Sequence, residues 1–147
     1  MNAITPILTV DAIEPCLPFW TELGFSVTAT VPHDDVMGFA MLERDGLTIM
    51  YQSRASVAAD LGPSGADEHH PDLADRMAEG MATLFVKVPE LDPVLESLGD
   101  GADVVVPRRQ TFYSMDEVFV MAPCGTLVGF AAPVEGDAGD VDDDREG

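Results

Sequence analysis

Few residues of this chain have the chemistry to act on a small molecule or to hold a metal. They are His33, His69, His70, Cys16, Cys124 and the run Arg108-Arg109-Gln110, with Tyr113 close behind it. Asp67-Glu68-His69-His70 has the side-chain types a divalent metal takes, but adjacent side chains rarely converge on one ion, so the run reads as a solvated loop. His33 falls in a Pro-His-Asp-Asp turn. Cys16 sits in the first turn of an expected helix, where a thiolate would be favoured. Free cysteines are often simply buried, so a buried structural thiol is the other reading. Cys124 lies in a turn, and no Ser-His-Asp or Cys-His arrangement emerges. Arg108-Arg109 is the sole basic cluster of an acidic chain. Two readings stand for it: it holds a ligand carboxylate or phosphate, or it pairs with a neighbouring acid. Glu43 and Glu117 are the candidate bases if the chain is an enzyme.

Charge narrows the partners. Over 147 residues, 7 Lys and Arg face 27 Asp and Glu, for a net charge of −20. Nucleic acid is excluded as an expected partner, because phosphate binding needs a basic face. A cationic ligand is favoured electrostatically, and plain solubility explains the charge equally well. No apolar run approaches the roughly 20 residues that cross a bilayer, so no membrane partner is expected. The start MNAITPILTV lacks the basic stretch of a signal peptide. Two cysteines make neither a disulfide framework nor a Cys-rich zinc module, which points to a reducing, cytoplasmic setting. The end of the chain, 134–147, has no apolar period and repels itself, so it is expected to be a disordered acidic tail.

The rest of the chain repeats one pattern. Thr5–Val10 is a β-type run, and Pro15 and Pro18 open a helix with Ile13, Leu17 and Trp20 on one face. Gly24 stops it. Strands follow at Ser26–Val31, Val36–Glu43 and Leu47–Gln52, with a hairpin turn at Arg44-Asp45-Gly46. From Thr83 the order recurs. Thr83–Val88 is a strand, and Asp92-Pro93 is read as a helix cap over Val94, Leu95 and Leu98. Ala102–Val106, Glu117–Met121 and Thr126–Ala131 are strands, the last after the turn Ala122-Pro123-Cys124-Gly125. Thr5/Thr83, Pro15/Pro93 and Gly46/Gly125 keep a nearly constant offset, as a duplication does. The predicted fold class is α+β, with two tandem βαβββ modules at 4–53 and 81–133 forming one domain. Residues 54–80 are a polar connector with weak helical pieces at Ala55–Leu61 and Leu73–Met81, open to a second reading as a lid.

This duplicated pattern resembles the vicinal oxygen chelate superfamily, which holds glyoxalase I, extradiol dioxygenases and the bleomycin-resistance binding proteins. The resemblance spans about residues 4–133. It is carried by Phe19-Trp20-Thr21-Glu22-Leu23-Gly24-Phe25, similar to the family's FYxxxLGF signature. Ala122-Pro123-Cys124-Gly125 is similar to its DPDG turn. The resemblance implies strands curled around a cavity, a homodimer, and in the enzymes a metal held from four positions. Those positions carry over to Thr5, Met50, Thr83 and Gly129. They are not the His, Gln or Glu that a divalent metal needs, so no metal and no cofactor is expected.

Strand alternation then sets the inward face. In the first module it is Thr5, Ile7, Thr9, Phe39, Met41, Thr48, Met50 and Gln52. In the second it is Thr83, Phe85, Lys87, Phe119, Met121, Leu127 and Gly129, with Arg109 and Tyr113 near the rim. Gly129, small where the family has a ligand, is expected to leave room. These residues line a ligand pocket or simply fill a core; both readings stand. Two functions follow. One is metal-independent binding of a small molecule, such as an antibiotic or another aromatic or cationic ligand. The other is a lyase, isomerase or dioxygenase-like enzyme acting on a small metabolite.

Overall fold

The computed structural model of the chain describes residues 1–134; the expected acidic tail lies, from residue 135 on, outside them. The chain divides into two compact units, Met1–Ala82 and the part from Thr83 onward.

The first unit is built by strands whose alternate residues are buried. β1 is Ile7–Val10, β2 Ser26–His33, β3 Val36–Arg44 and β4 Leu47–Ser53. They form one sheet in the order β1-β4-β3-β2, with β1 and β4 parallel and the other pairs antiparallel. On one face Leu8, Val10, Ala40, Leu42, Ile49 and Tyr51 are buried. The helical segment after β1 covers the core: a 3-10 turn at Glu14–Cys16 runs into α1, Leu17–Glu22. Trp20 is 1% exposed. Its indole Nε1 donates to the Tyr51 hydroxyl at 2.8 Å, and its ring meets Phe19 and Phe25 edge-on at 5.0 and 5.3 Å. Edge-to-face contacts suit the ring quadrupole.

The connector is folded and belongs to this unit. Ser53 caps α2, Arg54–Ser64, by accepting from the Ser56 N–H at 3.1 Å. α3, Ala66–His69, and α4, Leu73–Glu79, follow. Arg54 ties them down, donating to Asp11 on one side and to Asp75 and Glu79 of α4 on the other, at 2.8, 2.8 and 2.9 Å. The guanidinium holds the Asp11 carboxyl below its ordinary range. α3 is a helix the sequence reading missed; it carries Asp67, Glu68 and His69, with His70 just past its end.

The second unit repeats the plan. β5 is Thr83–Lys87, α5 Asp92–Leu98, β6 Asp103–Gln110, β7 Met115–Met121 and β8 Leu127–Pro133. The sheet order β5-β8-β7-β6 is that of the first sheet, again with the outer pair β5 and β8 parallel. The repeat extends to the backbone. Asp45 and Gly46 have φ of 50° and 83°, and Cys124 and Gly125 have 72° and 95°. Left-handed φ at two successive residues lets a tight turn follow the twist of its strands.

Three expectations are corrected. Leu91, not Asp92, stands at the cap position of α5, and no side chain caps it. The Asp92 carboxylate is drawn instead to Arg108, at 2.8 Å. β2 and β6 also run past their expected ends, through Pro32 and Pro107. Both are edge strands with register shifts there, where a residue without an N–H costs no ladder bond. Finally, neither cysteine is a free thiol, and Cys16 is wholly buried. The buried-thiol reading of Cys16 therefore falls, because nothing local in a sequence reports whether a cysteine is oxidised. The inference of a reducing compartment loses its footing with it.

Candidate functional site

In each unit the sheet has a second face, away from the buried core just described. On the first sheet Ile7 pairs with Met50, Thr9 with Gln52, Phe39 with Gln52, Met41 with Met50, and Thr48 with Glu43. All seven expected residues of β1, β3 and β4 therefore share this face. Thr5 stands two residues before β1, although Pro6 still accepts from the Met50 N–H at 3.0 Å. Phe39, Met41, Thr48, Met50 and Gln52 are half-buried and Ile7 is exposed. One end of the face is engaged by the connector. The Gln52 amide donates to Ser56 and Asp60 of α2 at 3.2 and 2.9 Å. Beside it the Thr9 hydroxyl is buried without a hydrogen-bond partner.

On the second sheet the register lays out two adjacent rows. One is Val106–Phe119–Gly129–Phe85 and the other Arg109–Glu117–Ala131–Lys87. Thr83 pairs with Leu127 and Met121 with Leu127, so Thr83 and Met121 lie on this face too. The Phe85 and Phe119 rings are 6.3 Å apart and tilted by 39°. A Cβ at Gly129 would come within 2.4 Å of the Phe119 ring. The space expected to be open over Gly129 is thus taken by that ring, because the residue paired with a glycine can lie across it.

Glu117 organises the second row. It is 0% exposed. Its Oε2 accepts from Arg109 Nε and Nη2 at 3.1 and 2.8 Å, and its Oε1 accepts from the Tyr113 hydroxyl at 2.7 Å. A buried carboxylate needs such partners to remain charged. Tyr113 is delivered by the turn between β6 and β7, which Ser114 N–H closes onto the Thr111 carbonyl at 3.1 Å. Phe112 in the same turn is 98% exposed and meets the Tyr113 ring edge-on at 5.1 Å. Arg108, by contrast, is bound to Asp116 and Asp92. The two arginines point to opposite sides of β6 and form no cluster, and each is paired with an acid. Arg108 is bound by two acids, and Arg109 is held by one, with its side chain 55% exposed. The role of Glu117 was missed, although its parity with Phe119 and Met121 already set it on this face.

Both tyrosines of the chain should ionise above the ordinary 10.0. For Tyr113 the cause is its bond to the Glu117 carboxylate, then burial; for Tyr51 it is burial, opposed by the Trp20 bond. A raised folded-state pKa gives stability that is full below pH 10 and is lost as pH climbs through the folded values. The phenolate band of folded protein is expected to appear at higher pH than that of protein unfolded in guanidinium. Coincident titrations would refute this.

The four positions at which the resemblance implies a metal do not fit one. Thr5, Met50, Thr83 and Gly129 offer two hydroxyls, a thioether and no side chain, and the Phe119 ring fills the place of the last. Among the described residues no three His, Cys, Asp or Glu come together as a metal site. An open groove of about 640 Å³ lies elsewhere, between α5 and β6, lined by Asp92, Leu95, Glu96, Asp100, Val104 and Val120 among others. It is on the helix side of the second sheet and holds none of the expected site residues. No helix among the described residues is long and apolar enough to cross a membrane.

No family model and no curated protein matches the chain. Solved structures do. A glyoxalase/bleomycin resistance protein/dioxygenase from Nocardioides is 20% identical, with a TM-score of 0.64, over 92% of this chain and 86% of that one. TioX from Micromonospora sp. ML1 is 16% identical, with a TM-score of 0.65, over 91% of this chain and 100% of that one. A bleomycin-binding protein complexed with bleomycin is 13% identical, with a TM-score of 0.57, over 90% of this chain and 98% of that one. At these identities the likeness is one of fold, and it agrees with the tandem βαβββ order read from the chain. The chain has the fold of the glyoxalase/bleomycin resistance/dioxygenase proteins.

Proposed function

We propose that the protein is a metal-independent small-molecule binding protein of the glyoxalase/bleomycin-resistance superfamily, taking a flat, largely aromatic ligand of the antibiotic type as a homodimer. The observation that carries the reading is the second face of each sheet. It is lined by Phe85, Phe119, Met41 and Met50, none fully buried, and Met50 stands at one of the positions where the resemblance would place a metal ligand. Polarizable apolar surface of this kind supplies affinity at about 25 cal/mol per Å² buried, less the entropy of association. The enzyme reading has less support, because Glu117, one of its two candidate bases, has both oxygens engaged, and Glu43, the other, is exposed on the first sheet. The dimer rests on β1, β2, β5 and β6, strands at sheet edges that invite a second chain.

The test is a titration of planar aromatic antibiotics, bleomycin included, with and without a chelator, with recovery of the compound afterwards. Saturable binding that the chelator leaves unchanged, with the compound recovered intact, is expected, and so is an unchanged melting temperature. Conversion of the compound would move the protein to the enzyme class, and loss of binding on chelation would end metal independence. Sedimentation of the same sample as a strict monomer at micromolar concentration would remove the dimer.

A further inference from the structure

Resting on the binding reading above, we infer that the second sheet's face is built for an aromatic ligand bearing an anionic oxygen, with Arg109 as its anchor and Glu117 as the positioning residue. The acid of this site is hidden and the base is not. Glu117 is 0% exposed, so its charge is out of reach of a ligand. The Arg109 side chain is 55% exposed. Glu117 accepts from Nε–H and from one N–H of Nη2, and no bond to Nη1 is found among the described residues. A guanidinium carries five donors in a rigid plane. Held from one edge, it turns the other outward.

The neighbouring row gives that edge its ligand class. Glu117 and Phe119 are two residues apart on β7, a step of roughly 7 Å along a strand. The Phe119 and Phe85 rings, with no side chain at Gly129 between their strands, offer aromatic surface, and Phe85 is 48% exposed. A ring resting there places a carboxylate or phenolate on the same molecule within reach of Nη1. Tyr113, also fixed by Glu117, flanks the guanidinium. A cation placed on this face would find aromatic surface and the Arg109 charge against it. The net charge of −20 favours cations only at long range. Beyond about 8 Å that field is screened at physiological salt, whereas a charge-assisted bond acts in contact.

A matched pair of probes tests this: naphthoate and naphthyltrimethylammonium, titrated calorimetrically against the intact chain with a chelator present. Naphthoate is expected to bind about tenfold or more tightly than the cation, the worth of one charge-assisted hydrogen bond. Arg109→Gln should abolish that preference, and Arg109→Lys, which keeps the charge but not the fork, should restore only part of it. Arg109→Lys, which keeps a cation beside the buried Glu117, should melt close to the unaltered protein, whereas Arg109→Gln leaves that carboxylate without its cation, should melt lower, and is titrated well below its own melting temperature. If the cation binds as tightly as the anion or more so, the anion site is refuted while the binding reading stands. If preference for the anion survives in Arg109→Gln, Arg109 is not the anchor and the inference fails. If neither probe binds, both readings fall together.

Discussion

Replacing Trp20 by alanine is expected to cost about 3–5 kcal/mol of stability, the range found when a buried aromatic side chain is truncated. Typical domains have only about 5–15 kcal/mol in all, so the variant should be largely unfolded in mild denaturant. The size of the effect comes from three contributions at one position. The ring is 1% exposed, it is packed edge-on by Phe19 and Phe25, and its N–H is bound to Tyr51. Tyr51→Phe isolates the last of these. It leaves a buried indole N–H without an acceptor and should cost about 1–3 kcal/mol. In the second unit Leu98 occupies the corresponding place at the end of α5 and is only half-buried. Leu98→Ala should therefore cost clearly less than Trp20→Ala. Guanidinium unfolding followed by circular dichroism measures all three. A Trp20→Ala variant within about 1 kcal/mol of the unaltered protein, well under the buried-aromatic range, would mean that α1 does not anchor the first sheet.

The strands were legible as β-type runs bounded by turn residues. Val36–Glu43 and Leu47–Gln52 are short apolar runs between turn residues, and the fold buries alternate members of them, Ala40 and Leu42 or Ile49 and Tyr51. The two turns were legible because Asp-Gly and Cys-Gly end at a glycine that accepts positive φ. What failed was whatever depended on position in the sheet. Pro32 and Pro107 look like strand stops, and they are, except on an edge strand; which strands are edges is a property of the finished order. Asp92 has the sequence of a cap, but a carboxylate goes to the strongest donor within reach, and Arg108 is brought there by β6. The site divides in the same way. Parity counted from the positions the resemblance implies put Phe85 with Gly129, and Met50 with Gln52, and the register adds Phe119 to the first face and Met41 to the second. The pairing of Arg109 with Glu117 was not legible. It needs the register of β6 against β7, and that register shifts between Val106 and Arg109.

Because that register brings Arg109 and Tyr113 to a single buried carboxylate, Glu117 is the position where stability and recognition should separate most clearly. Glu117→Ala removes one partner of a buried, charge-assisted network and leaves a void. Breaking a buried pair typically costs about 3–5 kcal/mol. The lower end is expected here, because Arg109 can turn its head into water. Glu117→Leu fills the volume with an apolar side chain. Such replacements of buried charges are often neutral or stabilising, so this variant should recover most of the stability lost in the alanine variant. It should not recover anion selectivity, because nothing then holds the guanidinium edge or the Tyr113 hydroxyl in place. Glu117→Gln keeps the shape and one acceptor oxygen and should fall between. Denaturant unfolding and the naphthoate titration on the same three proteins read the two properties independently. A carboxylate that serves only to satisfy a buried donor would make selectivity follow stability through the series. Leucine recovering both would show Glu117 to be packing alone. Leucine recovering stability while the preference for naphthoate stays lost is the result that a positioning role requires.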